Sequence, residues 1–151
     1  MLQKRLKDTQ IRLQEHNDLL REELALKRQQ AQLDEAHRLY DRIARASAPQ
    51  LDLADALLAR LEQEPENARH ILMQICVIGV YIKRRENLML LGEENEQIQS
   101  RELMYSVREM LDNLHLGEVA TSLREQCDGE CHVSAVVGAY DCFAQIVETL
   151  L

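Results

Sequence analysis

The chain has 151 residues, enough for one ordinary domain or for a long helical element with a small companion, and too few for two full domains. Hydrophobic residues make up 46% of it and charged residues 29%, but aromatic residues only 3%. Sheets usually draw on aromatic side chains, so their scarcity favours helices. With only 5 Gly and 2 Pro to form turns, the composition excludes turn-rich Greek-key and propeller folds.

Charge and apolar patterning set the expected surroundings of the chain. The net charge of −8 argues against nucleic acid as a partner, since phosphate binding needs a basic face, and the short basic run at residues 83–85 does not reverse this. The most apolar stretch, residues 71–82, is about 12 residues long, whereas a bilayer crossing takes about 20. With four Cys and no secretory signal, we expect a soluble, cytoplasmic chain with free thiols and no direct membrane insertion. Attachment to a membrane sensor in a longer parent protein stays open.

Residues 2–48 contain neither Gly nor Pro and consist mostly of strong helix formers. Two series of apolar residues recur at heptad spacing, with a break in phase between them: Leu6, Leu13 and Leu20, then Leu19, Leu26, Leu33 and Tyr40. This narrow stripe, which Gln10 and Asn17 interrupt, buries too little to keep one helix stable alone. The pattern predicts a helix over residues 1–38 that forms a parallel two-stranded coiled coil, the alternative being a single long helix lying on another domain.

Residues 39–92 carry a wider apolar stripe, which is typical of a helical bundle rather than of a two-stranded seam. Pro49 lies within this stripe and predicts a bend. A turn is expected before Pro65, which suits a helix start, and the second helix is expected to end near Gly92. The centre of this helix, residues 75–82, is apolar on nearly all sides. We therefore expect two such helical hairpins to form a four-helix bundle in a homodimer.

Residues 99–151 change in pattern and predict a small, incomplete α/β segment. A helix is expected over residues 101–116, ending at Gly117, and a last helix over residues 133–151 with one apolar face. Between them, residues 118–123 resemble one short strand, and Asp128-Gly129 is a turn signal of the hairpin type. The predicted fold is therefore mainly α, with a coiled-coil helix, a helical hairpin and an α/β tail whose sheet layer is incomplete.

The order of these parts, together with the sequence RLYDRIARASAPQL at residues 38–51, resembles the transmitter region of bacterial sensor histidine kinases. In that family the first helix of the hairpin carries a phosphoacceptor box of the form RIAREIHDxLGHSL, and four residues match it in type: Arg38, Leu39, Ile43 and Leu51. The phosphoacceptor position holds Ala44, and Arg45 replaces the acidic residue after it. Because an imidazole nitrogen must attack the γ-phosphate, helped by a neighbouring carboxylate, the resemblance implies ancestry and no phosphotransfer by this chain.

The resemblance extends to the tail. Residues 136–151 lie at the place of the helix that carries the Asn box, of the form LYRIVQEALTN, at the start of the family's ATP-binding domain. With Tyr140 set on the tyrosine of that box, Gln145 takes the place of its glutamate and Thr149 that of the magnesium-binding asparagine. The Gly-rich lid motifs do not occur in the sequence. We therefore expect no catalytic residue and no cofactor.

Two further candidate sites compete with ordinary structural interpretations. His37 is a displaced phosphoacceptor candidate because Asp41 lies one helical turn away, but a solvated helix position is the favoured interpretation. The second candidate places thiols and an imidazole around a tight turn, a set of ligands that zinc prefers: Cys127, Cys131 and His132, with Cys142 as a fourth. The spacing of the thiols and the lack of a second matched pair favour free thiols over a zinc or c-type haem site.

The sequence thus predicts a dimeric signal-transduction module that passes conformational change through a helical bundle without transferring phosphate. The expected partners are a second copy, an upstream sensor domain and a response-regulator-like protein. Two alternatives stay open: a fragment of an active or divergent ATP-binding histidine kinase, and a coiled-coil scaffold or adaptor unrelated to kinases. A folded tail without the right-handed crossover expected at the start of an ATP-binding domain would favour the scaffold.

Overall fold

The computed structural model describes residues 1–124 and 128–151, with the side chains at positions 2 and 4 excepted. Over these ranges it contains the helices α1 (Leu2–Gln63), α2 (Ala68–Glu94), α3 (Arg101–Leu114) and α4 (Val133–Leu150). Short 3₁₀ turns lie at Pro65–Asn67 and His115–Gly117, and the strands β1 (Gln97–Gln99) and β2 (Glu130–His132) form an antiparallel pair. The prediction of a mainly α fold with a small α/β tail is confirmed.

Helix α1 is several times longer than a typical globular helix of about 11–12 residues, because residues 2–48 contain no helix breaker. The helix continues through Pro49, so the bend expected there stays a prediction. Throughout residues 1–35 every described side chain is exposed, the heptad leucines included. This part of the helix therefore draws no stability from packing against the residues that the structure describes.

The contacts divide the chain into residues 1–44 and residues 45–151. The first unit is helical from Leu2 onward, and the second contains the end of α1, the hairpin turn, α2 and the whole tail. The hairpin turn forms where the sequence predicted it, with Pro65 opening the 3₁₀ turn, and α2 ends at Glu94, close to the predicted Gly92.

The core of the second unit lies between α2, α3 and α4. Each helix contributes one apolar face, and β1 adds a single side chain: Met73, Val77 and Leu88 from α2, Ile98 from β1, Val107, Met110 and Leu114 from α3, and Val136, Tyr140 and Val147 from α4. The returning helix of the hairpin thus shares one core with the two tail helices.

The two strands lie elsewhere than predicted. Residues 118–123 form no strand, and the sheet instead pairs β1 with β2, with Ile98 opposite Cys131. The strand prediction at residues 118–123 was wrong because a short apolar run outside a sheet has the same pattern as one inside it. Strand β1 was missed because three residues are too few to show the alternation of a strand. Gly129, at φ 117°, precedes β2 in a conformation that side-chain-bearing residues rarely adopt, and its carbonyl oxygen accepts a hydrogen bond from the Ser100 N–H at 2.9 Å. Because the pair is antiparallel, the described sheet contains no parallel crossover.

Among the described residues, α4 is the helix whose length and composition would allow a membrane crossing. Core helices of soluble proteins meet the same criterion, and α4 buries Val136, Tyr140 and Val147 in the core of the second unit. Length and apolar composition are therefore weak grounds for a membrane span.

Candidate functional site

A cavity of about 460 Å³ lies within the second unit, where side chains from the end of α1, from α2 and from α4 converge. This volume falls in the range of small-molecule sites. Much of its wall is apolar, formed by Leu53, Leu57, Val77, Ile78, Ala144 and Leu151. The polar lining residues are Gln50, Arg60, Gln74, Tyr81, Asp141, Gln145 and Glu148. An apolar enclosure with a few polar groups is the usual composition of a ligand pocket.

Tyr81 and Asp141, which line this cavity, form a polar cluster with Arg85. The Tyr81 hydroxyl donates a hydrogen bond to Asp141 Oδ1 at 2.8 Å, and Arg85 Nε donates to the same oxygen at 2.9 Å. Arg85 Nη2 lies 3.3 Å from Asp141 Oδ2. Because Tyr81 and Arg85 are four residues apart, they project from the same face of α2 and reach α4 together. Both carboxylate oxygens of Asp141 therefore accept hydrogen bonds from α2, which links α4 to α2. Neither oxygen is left free to act as a general base.

The environments of the two stacked tyrosines support this structural role. The rings of Tyr81 and Tyr140 lie 5.7 Å apart between centroids. Burial, aided by the bond to Asp141, raises the pKa of Tyr81 to about 12, and burial also raises the pKa of Tyr140 above its ordinary value. Both phenols therefore stay protonated at neutral pH, and neither is suited to act as a general base.

The basic run at residues 83–85 is directed toward acids on neighbouring helices. Lys83 Nζ lies 2.7 Å from Glu109 Oε1 on α3, and Arg84 Nε binds Glu109 Oε2. The hydrogen bond from Lys83 holds the pKa of Glu109 below its usual value, with a further contribution from Arg84. Together with the Arg85–Asp141 pair, these contacts form ion pairs that link α2 to α3 and to α4.

Two acceptor oxygens in the cavity wall have no protein partner among the described residues. They are the buried Oε1 atoms of Gln50 and Gln74. The Gln74 amide nitrogen donates to the carbonyl oxygen of Leu151 at 3.4 Å, and its Oε1 atom has no partner among the described residues. Buried polar atoms in native proteins normally have a partner, so these two oxygens are exceptions within the described part of the chain.

The residues that the resemblance points to do not form one site. Ala44 and His37 are both exposed in the first unit, so His37 as a displaced phosphoacceptor stays a prediction. Of the two Asn-box positions, Gln145 lines the cavity, whereas the Thr149 hydroxyl donates to the backbone oxygen of Gln145 at 2.6 Å and is taken up within its own helix.

The cysteine-rich turn is described in part. Cys127 lies outside the described residues, and Cys131 is exposed in β2. His132 is the N-cap of α4, and its Nδ1 accepts a hydrogen bond from the Ser134 N–H at 3.3 Å. Within residues 1–124 and 128–151 no group of three or more potential metal ligands comes together. The zinc interpretation, with Cys142 exposed on α4, stays a prediction.

Sequence reasoning did not single out the acids that hold the helices together. Glu109 and Asp141 lie beside the apolar faces of α3 and α4. Because burying a charge is costly unless the charge is paired, an acidic residue at such a position indicates a cationic partner nearby. The spacing of Tyr81 and Arg85 on one face of α2 was a second available signal. Asp141 lies 60 residues from Tyr81 and 56 from Arg85, and Glu109 lies 26 residues from Lys83 and 25 from Arg84, so no local pattern showed either pairing.

Comparison with known proteins adds no relative. No protein-family model, no curated protein and no solved structure matches this chain.

Proposed function

We propose that this chain is a homodimeric helical signalling module that transmits conformational change without transferring phosphate. A second copy binds along the N-terminal helix and the hairpin, an upstream sensor domain supplies the input, and a response-regulator-like protein receives the output. The heptad seam on α1 is the observation that carries the proposal.

The seam has no partner within the described residues of the chain. Leu6, Leu13 and Leu20 are 65%, 57% and 43% exposed, on a stretch of helix in which every described side chain is exposed. A helix of this kind lacks the packing of an apolar face from which most helices in proteins draw their stability. Two copies in parallel would bury their seams against each other, since identical heptads are complementary in register.

The second unit carries a short exposed apolar stripe on α1, formed by Leu51 and Leu58. Leu72 on α2 is exposed as well. On α1 this stripe is displaced by about a third of a turn from Leu53 and Leu57, which line the cavity. A second hairpin placed against it would complete the expected four-helix bundle and would leave the cavity face free.

The chemistry of the candidate residues supports transmission rather than catalysis. Ala44 stands at the phosphoacceptor position, and a methyl group cannot attack a phosphate. Asp141 and Glu109 are both held by cations, and the Tyr81 phenol donates a hydrogen bond to Asp141. The phase break near Leu19 and Leu20 is a place where two coiled-coil packings can interchange, which suits a signal carried by helix rotation.

The dimer is tested by sedimentation of the full chain over a range of concentrations, with Leu13→Asp as the disrupting variant. We expect the unmodified chain to sediment as a dimer and Leu13→Asp to shift the equilibrium toward monomer by at least tenfold, because it places a charge in the seam. Gln14→Asp, on the neighbouring residue outside the seam, is the matched control and should remain dimeric. A chain that is folded and monomeric at all concentrations would overturn the proposal.

The absence of phosphotransfer is tested separately. Incubation of the dimer with labelled ATP should leave no acid-labile phosphate on the protein. Stoichiometric labelling would contradict the proposal, and loss of the label in His37→Gln would assign it to the displaced histidine.

A second candidate function is a coiled-coil scaffold or adaptor without kinase ancestry. The antiparallel pairing of β1 with β2 favours it. The start of an α/β ATP-binding domain would be expected to contain a right-handed crossover connection between parallel strands. Insertions before Leu6 distinguish the two functions, because they change the phase of the heptads to different extents. Seven inserted residues keep the phase and should be neutral in both functions. Four inserted residues shift the phase, which should change the output of a signalling module and leave a scaffold unaffected.

A further inference from the structure

We infer that the exposed face of α4 binds the same face of a second copy, with the two helices antiparallel. This face consists of exposed residues that lie on one side of the helix: Ala135, Ala139, Cys142, Ile146 and Leu150. The proposed function assigns the dimer to α1 and the hairpin, so the inference does not depend on it.

The exposed face of α4 is apolar and uncovered. Its members follow one another at intervals of three or four residues, which places them on one side of the helix over about 22 Å. Ile146 and Leu150 are 60% and 80% exposed. The opposite side of α4 is the one that enters the core, with Val136, Tyr140 and Val147 buried. Because exposed apolar faces of this kind mark interaction sites, α4 has a second apolar side that the described residues leave open to a partner.

The distribution of charge favours a second copy over a membrane. Helix α4 contains neither Lys nor Arg, and both of its acids, Asp141 and Glu148, lie more than about 120° around the helix from Ile146. In a chain with a net charge of −8, two copies can meet without repulsion on a face that carries no acid. Helices that lie on anionic bilayers instead carry Lys and Arg beside their apolar side.

The sizes of the side chains make the face complementary to itself. The small residues Ala135 and Ala139 lie toward its N-terminal end, and the large residues Ile146 and Leu150 toward its C-terminal end. A two-fold axis midway between residues 142 and 143 places Ala139 opposite Ile146 of the second copy, and Ala135 opposite Leu150 of the second copy. Each large side chain then lies over a small one, as interdigitating helices require. A parallel pair would place large residues against large ones.

Gly138 supports a close approach of the two helices near this axis. It lies in the middle of α4, and a Cβ added there would meet nothing within 4 Å, so no contact of the described residues requires a glycine. Glycine inside a helix costs about 1 kcal/mol relative to alanine. Small residues let two helix backbones approach closely, and Cys142, one turn after Gly138, then lies beside Cys142 of the second copy.

Oxidative cross-linking of the full chain tests the placement of Cys142. It is carried out in the Leu13→Asp variant, in which the α1 seam is disrupted, and in the unmodified chain. We expect a disulfide-linked dimer that is lost in Cys142→Ser and retained in Cys131→Ser, because Cys131 is equally exposed but lies on β2. An equal loss in both serine variants would mean random collision of exposed thiols and would overturn the inference.

A residue exchange tests the antiparallel register. One helix face is smaller than a stable interface requires, so we expect α4 to join Leu13→Asp monomers, or unmodified dimers, only at high protein concentration. In sedimentation of the Leu13→Asp chain, Ala139→Ile and Ile146→Ala should each weaken this association at least tenfold. The double variant should restore it, because the large and small residues then only change places. Leu116→Ala, at an exposed leucine outside α4, is the matched control and should leave it unchanged.

Three results of these measurements would overturn the inference: tighter association of Ala139→Ile, no recovery in the double variant, or the same loss in Leu116→Ala. Binding of the chain to phosphatidylserine vesicles without self-association through α4 would assign the face to a membrane instead. Loss of this association in a chain that still pairs through α1 refutes the α4 contact alone. Association through α4 in an unmodified chain that does not pair through α1 refutes the proposed dimer alone.

Discussion

Ion pairs in the two units of the chain have different geometry. In residues 1–44, Lys27 pairs with Glu23 at 2.7 Å, one turn away along the same exposed helix. In residues 45–151, Arg85 pairs with Asp141 at 2.9 Å across two helices, and both side chains are less than one-third exposed. Charges on one exposed helix add little to stability, whereas a cluster that joins two helices fixes how they pack. The described contacts of the first unit therefore add little to its stability, whereas the second unit contains the contacts that stabilise it.

The largest effect is expected at the centre of the second unit. Tyr140→Ala removes a fully buried ring that stacks on Tyr81 and should lower the free energy of unfolding by about 3–5 kcal/mol. Urea denaturation at fixed protein concentration measures this change. Tyr105→Ala, at a half-exposed position of α3, is the matched control and should cost much less. Equal losses in the two variants would mean that the core does not lie where α2, α3 and α4 meet.

A smaller loss is expected from the cluster that joins α2 to α4. Asp141→Asn removes the charge that holds Arg85 and should lower the free energy of unfolding by about 1–3 kcal/mol. It should also lower the pKa of Tyr81 from about 12 toward its ordinary value, because the carboxylate no longer opposes ionisation of the phenol. Spectrophotometric titration of tyrosine detects this change. Asp112→Asn, an exposed residue of α3, should alter neither quantity.

The Glu109 cluster predicts a pH dependence confined to the second unit. Because Lys83 and Arg84 hold the pKa of Glu109 below its usual value of about 4.3, its stabilising contribution is present above that pH and is lost as the pH falls through the folded-state pKa. Glu109→Gln should therefore flatten the acid limb of the stability profile below about pH 5. Glu66→Gln, at an exposed turn position, is the control. An unchanged acid limb in Glu109→Gln would show that this cluster adds no stability.

The smallest effect is expected in the first unit. Lys27→Gln removes the exposed pair with Glu23 and should change helix stability by less than about 0.5 kcal/mol. The difference should disappear in about 1 M salt, where the charges are screened. Thermal melting followed by circular dichroism measures it. A loss comparable to that of Asp141→Asn would mean that Lys27 contacts a partner across the seam.

The helices were largely predictable because their signals are local. The absence of Gly and Pro over residues 2–48 predicts the long helix, and Pro65 marks the turn before α2. The apolar faces of α3 and α4 were predicted as well, since spacing along one helix is enough to reveal them. The strand predicted at residues 118–123 was wrong, because a short apolar run outside a sheet has the same pattern as one inside it.

The candidate site was less predictable than the fold. Gln50 and Gln74 lie in helical segments where a glutamine is ordinarily a solvated residue, and nothing near them in the sequence indicates a buried oxygen. Gln145 was considered only for its resemblance to an Asn-box position, whereas the structure places it in the cavity wall. These roles arise when α1, α2 and α4 come together.

Helical character, the heptad seam and the hairpin turn are properties of neighbouring residues, and they follow from backbone propensity and apolar spacing within the amino-acid sequence. Three features depend instead on segments tens of residues apart: the pairing of β1 with β2, the ion pairs of residues 83–85 with Glu109 and Asp141, and the lining of the cavity. Only the packing of the helices in the second unit, the end of α1 included, decides them, because a long-range contact forms when several apolar faces are buried at once and leaves little trace in any single stretch of chain.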